Sequence, residues 1–237
     1  MNNHQEHGVE KGPGARTTPA HPIKILLADD HAIVRQGLRA LLESEPQFSV
    51  VGEAGDGLMA VKQAAELLPD VVVMDISMPG LNGVDATCQI KALAPNVRVI
   101  ALSMHSQKTL VKRMLQAGAM AYLLKDCAAR DLVAAIHSVM ANQFYFSAAI
   151  AQAVCEEIKG GVPAGCQAGR AELNLQQREL LQLLAEGNNT KQIAERLSLS
   201  PKTVDVYRRR LMERLQLWSI AGLTKYAIRE GVTSLEF

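Results

Sequence analysis

The 237-residue chain predicts two domains: an α/β domain built on a five-stranded, doubly wound parallel sheet, then a small all-α domain containing a helix-turn-helix. Three observations carry this reading. Residues 23–141 alternate apolar, strand-like runs with helical spacing, joined by short loops. The run Val71-Val72-Val73-Met74 is apolar without alternation, as suits a strand buried on both faces, and it ends in a single carboxylate, Asp75. From Leu173 onward every apolar pattern is helical, and two short helices flank the turn Ser198-Leu199-Ser200.

The elements follow in order. Ile23–Ala28 reads as a strand ending in Asp29-Asp30, and His31–Glu43 as a helix with apolar residues at Val34, Leu38, Leu41 and Leu42. Phe48–Glu53 and Val71–Asp75 are the second and third strands, with a helix at Leu58–Leu68 between them. Met78-Pro79-Gly80 closes the third strand, since proline and glycine punctuate elements. A helix at Val84–Leu93, a strand at Val97–Leu102 running into Ser103, and a helix at Gln107–Ala117 come next. A strand at Ala119–Leu124 leads into Lys125, and a helix is expected at Asp131–Met140. Phe144–Glu157 reads as a further helix or an extension, and Lys159–Arg170, rich in Gly, Pro and Ala, as a flexible linker. The domain boundaries expected are a disordered tail over 1–22, an α/β domain over 23–141, an extension and linker over 142–171, and the helical domain over 172–237.

In the helical domain, Gln176–Glu186 carries Leu180, Leu181, Leu183 and Leu184 and stops at Gly187. Thr190 is the expected cap of Lys191–Leu197. Ser200 and Pro201 are cap and first residue of Lys202–Leu215, and Ser219–Glu230 is the last helix.

Composition narrows the classes. Hydrophobic residues at 48% and charged residues at 21% are those of a soluble globular chain. No apolar run approaches a membrane span, and the N-terminus lacks the apolar core of a secretory signal. The four cysteines, Cys88, Cys127, Cys155 and Cys166, have no C-x-x-C spacing and read as reduced thiols in a cytoplasmic protein. The net charge of +1 hides a split: residues 23–140 hold 11 Lys/Arg and 12 Asp/Glu, whereas residues 170–237 hold 11 and 8. The basic C-terminal part points towards nucleic acid.

The expected strands end in a coordinated set of polar groups: Asp29-Asp30, Asp75, Ser103 and Lys125. In a doubly wound sheet these ends line one rim. Crowded carboxylates need a cation, and all-oxygen ligation favours Mg²⁺. A hydroxyl and an ammonium opposite them suit a transferred phosphoryl group, with Asp75 as the carboxylate nucleophile that forms an acyl phosphate. A phosphatase of the haloacid dehalogenase type also uses an Asp after an apolar strand. That chemistry needs a second acid two residues on, where this chain has Ser77.

The stretches L-L-A-D-D-H, V-V-V-M-D-I-S-M-P-G-L-N-G, A-L-S-M-H and A-G-A-M-A-Y-L-L-K-D resemble the receiver domain of a two-component response regulator. The resemblance implies a flavodoxin-like fold, with Asp75 as phospho-acceptor. It implies Asp29, Asp30, Asp75 and the backbone carbonyl of Ser77 as the protein ligands of Mg²⁺. Ser103 becomes the switch hydroxyl, Tyr122 the switch aromatic and Lys125 the phosphate-pairing lysine. The positions of Ser77 and His105 would flank the phosphoryl group, and Tyr122 would follow Ser103 inward when Asp75 is phosphorylated.

The run L-L-A-E-G-N-N-T-K-Q-I-A-E-R-L-S-L-S-P-K-T-V-D-V-Y-R-R-R-L-M-E-R-L resembles the LuxR-type helix-turn-helix of the NarL/FixJ class. Gln177 replaces the usual Glu, Gln216 the usual Gly, and Asp205 stands where Lys is frequent; the first two are expected to cost local stability. Lys202, Arg208, Arg209, Arg210 and Arg214 oppose Asp205 and Glu213 on the recognition helix, enough charge for several phosphate contacts. Val204, Leu211 and Leu215 mark its buried stripe. Asp205, Val206 and Arg209 fall on the opposite face and match the class's base-contacting positions, with Lys202, Thr203, Tyr207 and Arg208 placed for the backbone. The last helix, with Ile220, Leu223, Thr224 and Ile228, resembles the one through which the class dimerises on DNA. Together the resemblances imply a phosphorylation-activated transcriptional regulator, with a histidine kinase and promoter DNA as partners, a homodimer when phosphorylated, and no membrane. A constitutive DNA-binding protein with a degenerate receiver is the other reading, and the intact set Asp29, Asp30, Asp75, Ser103 and Lys125 argues against it.

Overall fold

The computed structural model describes residues 21–147, 150–151 and 173–233. Parallel strands β1 (Ile23–Ala28), β2 (Phe48–Ala54), β3 (Val71–Asp75), β4 (Arg98–Ser103) and β5 (Ala121–Leu124) alternate with helices α1 (Ala32–Glu43), α2 (Gly57–Leu67), α3 (Gly83–Leu93), α4 (Lys108–Gln116) and α5 (Lys125–Met140). A short strand β6 (Tyr145–Phe146) extends the sheet, whose order is β2-β1-β3-β4-β5-β6. The chain runs outward from β1 to β2 and then crosses back to β3. The topological switch point therefore lies between β1 and β3, where open α/β sheets leave a crevice at their carboxyl ends.

Burial on both faces explains the unalternating strands. Along β3, Val71 and Val73 face one layer with Leu38 and Leu42 of α1 and Leu132 and Ile136 of α5. Val72 and Met74 face the other, with Ala60 and Ala64 of α2, Ile90 of α3 and Met114 of α4. The small alanines let α2 approach the sheet closely.

Two elements depart from expectation. Helix α5 begins at Lys125 rather than Asp131, because Asp126 to Arg130 contains no breaker and Ala128 is already buried against β-strand side chains. Tyr145–Phe146, expected within a helix or extension, instead pairs in parallel with Ala121–Tyr122 of β5, and Phe144 stacks on Phe146 with ring centroids 6.1 Å apart. Aromatic side chains suit a half-buried sheet edge. The sheet thus continues past the boundary expected at 141. The tail before residue 21, the linker, Cys155 and Cys166 lie outside the described residues.

The second domain packs α6 (Leu175–Ala185), α7 (Thr190–Arg196), α8 (Pro201–Leu215) and α9 (Ile220–Arg229) around Leu181, Leu184, Ile193, Val204, Leu211 and Leu223. Asn189, not Thr190, caps α7: its side chain accepts from the amides of Lys191 and Gln192, both at 3.0 Å, while Gln192 reaches back to the Asn189 amide. Ser200 caps α8 as expected, accepting from the Thr203 amide at 3.1 Å. Gln177, expected to weaken its helix, closes a capping box with Asn174 and accepts from Arg214 at 3.0 Å. No helix among the described residues is long and apolar enough to cross a membrane.

The domains meet where α6 lies along the loop between β3 and α3. Gln182 of α6, 1% exposed, hydrogen-bonds to Asn82 and Met78. Arg178 lies 3.2 Å from the buried carboxylate of Asp85, and Arg113 of α4 donates to the Glu230 carbonyl at the end of α9.

Gln216 ends α8 in the left-handed conformation, φ 55°, where a side chain is strained. Gln216→Gly should raise the stability of this domain by roughly 0.5–1 kcal/mol, the strain relieved less the extra freedom glycine loses on folding. Urea unfolding followed by fluorescence of Trp218, the chain's only tryptophan, measures it; a lowered midpoint contradicts the account.

Candidate functional site

The switch point gathers the polar strand ends. Asp29, following β1, and Asp75, the last residue of β3, are each 1% exposed. Lys125, at the junction of β5 and α5, places its Nζ 2.7 Å from Asp29 Oδ2 and 2.8 Å from Asp75 Oδ2. The Ser77 amide donates to Asp75 Oδ1 at 3.2 Å. On the solvent side, His31 donates its amide to Asp29 Oδ1 at 2.8 Å and holds its Nδ1 2.8 Å from Asp30 Oδ1. Asp29, Asp30, His31 and Asp75 each offer a ligand atom within 4.8 Å of the others.

Burial pushes the Asp75 carboxyl up to about 6, because its charge is costly away from water; the Lys125 ammonium pulls it down and the Asp29 charge pushes it up again. Burial disfavours the Lys125 ammonium too, but Asp75 and Asp29 outweigh that and hold it above the ordinary lysine range. One ammonium against three carboxylates leaves excess negative charge beside a partly buried set of hard oxygens. That set of carboxylates fits a hard divalent cation such as Mg²⁺. His31 was missed by sequence reasoning. Its position next to Asp29-Asp30 was the available signal, but one imidazole beside two carboxylates reads equally well as a helix start.

Asp30, Asp75, Ser77, His105 and Lys125 line one cleft of about 1010 Å³. Its far wall comes from the second domain: Glu186, Asn188 and Arg196. Ser103 and Tyr122 are buried and connect to the cleft through His105, whose amide donates to Ser103 Oγ at 3.0 Å and whose carbonyl accepts from the Tyr122 hydroxyl at 2.8 Å. Tyr122 is fully buried here, with its hydroxyl held by the His105 carbonyl. Burial drives its hydroxyl up to about 12, so it remains a donor.

On α8, Val204 and Leu211 are buried and Leu215 half-buried, which turns Lys202, Asp205, Arg209 and Arg210 outward to solvent. Val206, Tyr207 and Arg208 are half-buried, and Tyr207 packs on the domain's core. Arg208 Nη2 lies 3.2 Å from Asp205 Oδ1, so the two are paired in this arrangement. The Thr203 hydroxyl is engaged 2.7 Å from Ser200 Oγ, at the helix cap.

The Lys125 bridge has a measurable consequence. Lys125→Met leaves Asp29 and Asp75 facing each other uncompensated, a loss of about 3 kcal/mol by analogy with other broken buried pairs. In an Asp75→Asn background the same substitution should cost markedly less. Equal losses in the two backgrounds, read from urea unfolding at neutral pH without divalent cation, would show that Lys125 does not bridge these carboxylates.

Comparison with known proteins matches these features. Residues 25–137 fit the model of the response regulator receiver domain, and residues 171–227 that of the bacterial regulatory proteins of the luxR family. The response regulator UvrY of Escherichia coli (strain K12) is 38% identical over 215 residues, covering 90% of this chain and 97% of UvrY. The response regulator GacA of Pseudomonas aeruginosa is 35% identical over 210 residues, covering 89% of this chain and 97% of GacA. The structure of RcsB from Salmonella enterica serovar Typhimurium, bound to promoter rprA in the presence of the phosphomimetic BeF3−, is similar with a TM-score of 0.56 and 26% identity, covering 87% of this chain and 98% of RcsB. The chain belongs to the LuxR-type response regulators, phosphorylation-dependent transcription regulators that join a receiver domain to a helix-turn-helix DNA-binding domain.

Proposed function

We propose that Asp75 accepts a phosphoryl group from a partner histidine kinase and that the modification controls dimerisation and promoter binding. The observation that carries this reading is the Asp75 carboxylate at the end of β3, 1% exposed, with one oxygen 2.8 Å from Lys125 and the acidic cluster beside it. An oxygen of Asp75 attacks phosphorus in line with the leaving group. Lys125 is placed to leave Asp29 and pair with a phosphoryl oxygen, since its ammonium already spans the two carboxylates. Asp29, Asp30, Asp75 and the Ser77 carbonyl would hold Mg²⁺, which supplies charge neutralisation for the incoming phosphoryl oxygens. Ser103 would donate to another of those oxygens, giving up the His105 amide and so disturbing the carbonyl that holds Tyr122. The fate of the phosphoryl group is signalling rather than turnover, so the chain is read as a regulator and not as an enzyme, acting in the cytoplasm on chromosomal DNA.

On DNA, the exposed face of α8 enters the major groove. Asp205, Val206 and Arg209 face base edges, where Arg suits guanine and Asp accepts from cytosine N4. Lys202, Thr203, Tyr207 and Arg208 hold the sugar-phosphate backbone. Asp205 can read a base only once Arg208 turns from it to a phosphate, so the groove competes with the pair seen here. RcsB bound to promoter DNA supports DNA as the partner, and RcsB dimers bound to DNA support a dimer.

Two experiments test the reading. Incubation with acetyl phosphate and Mg²⁺ should add the mass of one phosphoryl group to the wild type and none to Asp75→Asn, whose near-isosteric amide is no nucleophile. A full adduct on the variant places the acceptor elsewhere. In binding titrations, Arg209→Ala should lose about 1–3 kcal/mol on a specific site and relax preference there, while Lys202→Ala should weaken all sequences alike and reduce the salt slope by about 1. If Arg209→Ala lowers specific and scrambled sites equally, Arg209 contacts only phosphate.

A further inference from the structure

The imidazole of His31 serves neither capping nor packing. His31 precedes Ala32 at the start of α1, where a Ser, Thr, Asp or Asn side chain would accept from the free amides of the first turn, yet its ring makes no capping bond. Its side chain is 59% exposed, so no apolar contact holds it in place. What the ring does touch is the acidic pocket. Its Nδ1 lies 2.8 Å from Asp30 Oδ1 and 3.3 Å from Asp29 Oδ1. The His31 amide donates to that same Asp29 oxygen at 2.8 Å, which fixes the base of the side chain. The ring is therefore turned across two carboxylates and lines the cleft that also holds Asp75 and Lys125.

Two features set this arrangement apart from a surface ion pair. An exposed pair is complete with one carboxylate and worth little, whereas Nδ1 faces oxygens of two. Neighbouring ligands around a six-coordinate cation, each about 2.1 Å from it, lie about 3.0 Å apart. The two separations from Nδ1 bracket that distance. The pocket is also short of positive charge. Asp29 Oδ2 is buried without a well-aligned hydrogen bond, and the Lys125 ammonium 2.7 Å away is shared with Asp75. One ligand atom from each of Asp29, Asp30, His31 and Asp75 falls within 4.8 Å of the others, so the imidazole stands inside the donor set and not beside it.

We propose that His31 is a nitrogen ligand of the divalent cation in this pocket, and that it makes the site favour a first-row transition ion over Mg²⁺. The proposal rests on the reading of the pocket as the cation site that serves Asp75. Carboxylates and carbonyls alone suit Mg²⁺ and Mn²⁺ alike, because both ions accept six oxygens. An imidazole breaks that parity. Mg²⁺ is a hard ion that gains little from nitrogen, while transition ions bind imidazole with an affinity that rises from Mn²⁺ to Cu²⁺. Nδ1 binds through its lone pair, so the ring proton resides on Nε2 in the bound form. The contact between Nδ1 and Asp30 Oδ1 is then exchanged for a cation that both atoms share. Mn²⁺, the least imidazole-loving of the series, is the strictest probe of the idea, and its unpaired electrons report a bound nitrogen directly.

The test uses the full chain as wild type and His31→Asn, a substitution that places a good helix cap at this position and so preserves α1. Electron paramagnetic resonance of Mn²⁺ gives its affinity from the free-ion signal, competition gives that of Mg²⁺, and the pulsed experiment reads coupling of the bound ion to a nitrogen nucleus. The wild type should show an imidazole nitrogen coupled to Mn²⁺. His31→Asn should lose that coupling and bind Mn²⁺ about tenfold more weakly, while its affinity for Mg²⁺ changes by less than about twofold. A merely structural role for His31 would weaken both ions alike and leave no nitrogen coupling in the wild type. Bound Mn²⁺ without the coupling, coupling that survives in His31→Asn, or an equal loss for the two ions overturns the proposal. If the wild type still gains a phosphoryl adduct from acetyl phosphate and Mg²⁺, the reading of the pocket stands when the proposal fails. If it takes up neither cation nor adduct, both fail. Should His31→Asn not fold, His31→Gln gives the same readouts.

Discussion

Everything at the functional end of the receiver depends on one ammonium held between two carboxylates. Asp29 and Asp75 are both 1% exposed, and Lys125 lies within 2.8 Å of each. Two carboxylates this close to the interior cannot both ionise without a counter-charge. The sheet exists, functionally, to make that triangle. The order β2-β1-β3-β4-β5-β6 puts the ends of β1 and β3 side by side, and Lys125 reaches them from β5 across the intervening β4. Helix α5 starts directly at Lys125, which fixes the base of that long side chain rather than leaving it on a loop. Close packing serves the same end: a Cβ on Gly83 would overlap the Asp75 carbonyl, so α3 can start only where glycine lets it press against the end of β3.

The chain joins two domains with different tasks through a contact that includes buried polar pairs. Gln182, Asn82, Asp85 and Arg178 supply directed bonds across it. Such a contact is specific in geometry and easily tipped, because its bonds are worth little once they are bent. An interface of this kind suits a regulator, in which the two arrangements must lie within a few kcal/mol of each other. The buried Tyr122, bonded to the His105 carbonyl, shows that the inward aromatic position is compatible with docked domains.

Much of this was legible in the residues. The unalternating Val71–Met74 run announced a strand covered on both faces, and the coordinated strand ends announced the pocket, because a parallel sheet can only bring its carboxyl ends together on one rim. The helix-turn-helix was legible from Ser200-Pro201 and the leucine spacing. Other features were not. The start of α5 at Lys125 depends on burial of Ala128, a tertiary fact with no local mark. The β6 pairing depends on the exposed edge of β5, and Tyr145–Phe146 is too short to carry a period of its own. Asn189 and Thr190 are both good caps, and only the backbone decides between them. Gln182 was the least visible: inside a leucine-rich helix one polar residue reads as solvent-facing, and its partners lie about a hundred positions away.

The central claim is that the state of Asp75 sets the affinity of α8 for DNA. Its most direct test is a DNA-binding titration of the wild type and Asp75→Asn, each with and without acetyl phosphate and Mg²⁺, on fragments that the protein itself selects from a random pool. The account expects the wild type to gain about fivefold or more on phosphorylation and Asp75→Asn to gain nothing. An equal gain in both proteins, or none in a wild type that carries the phosphoryl group, would contradict it.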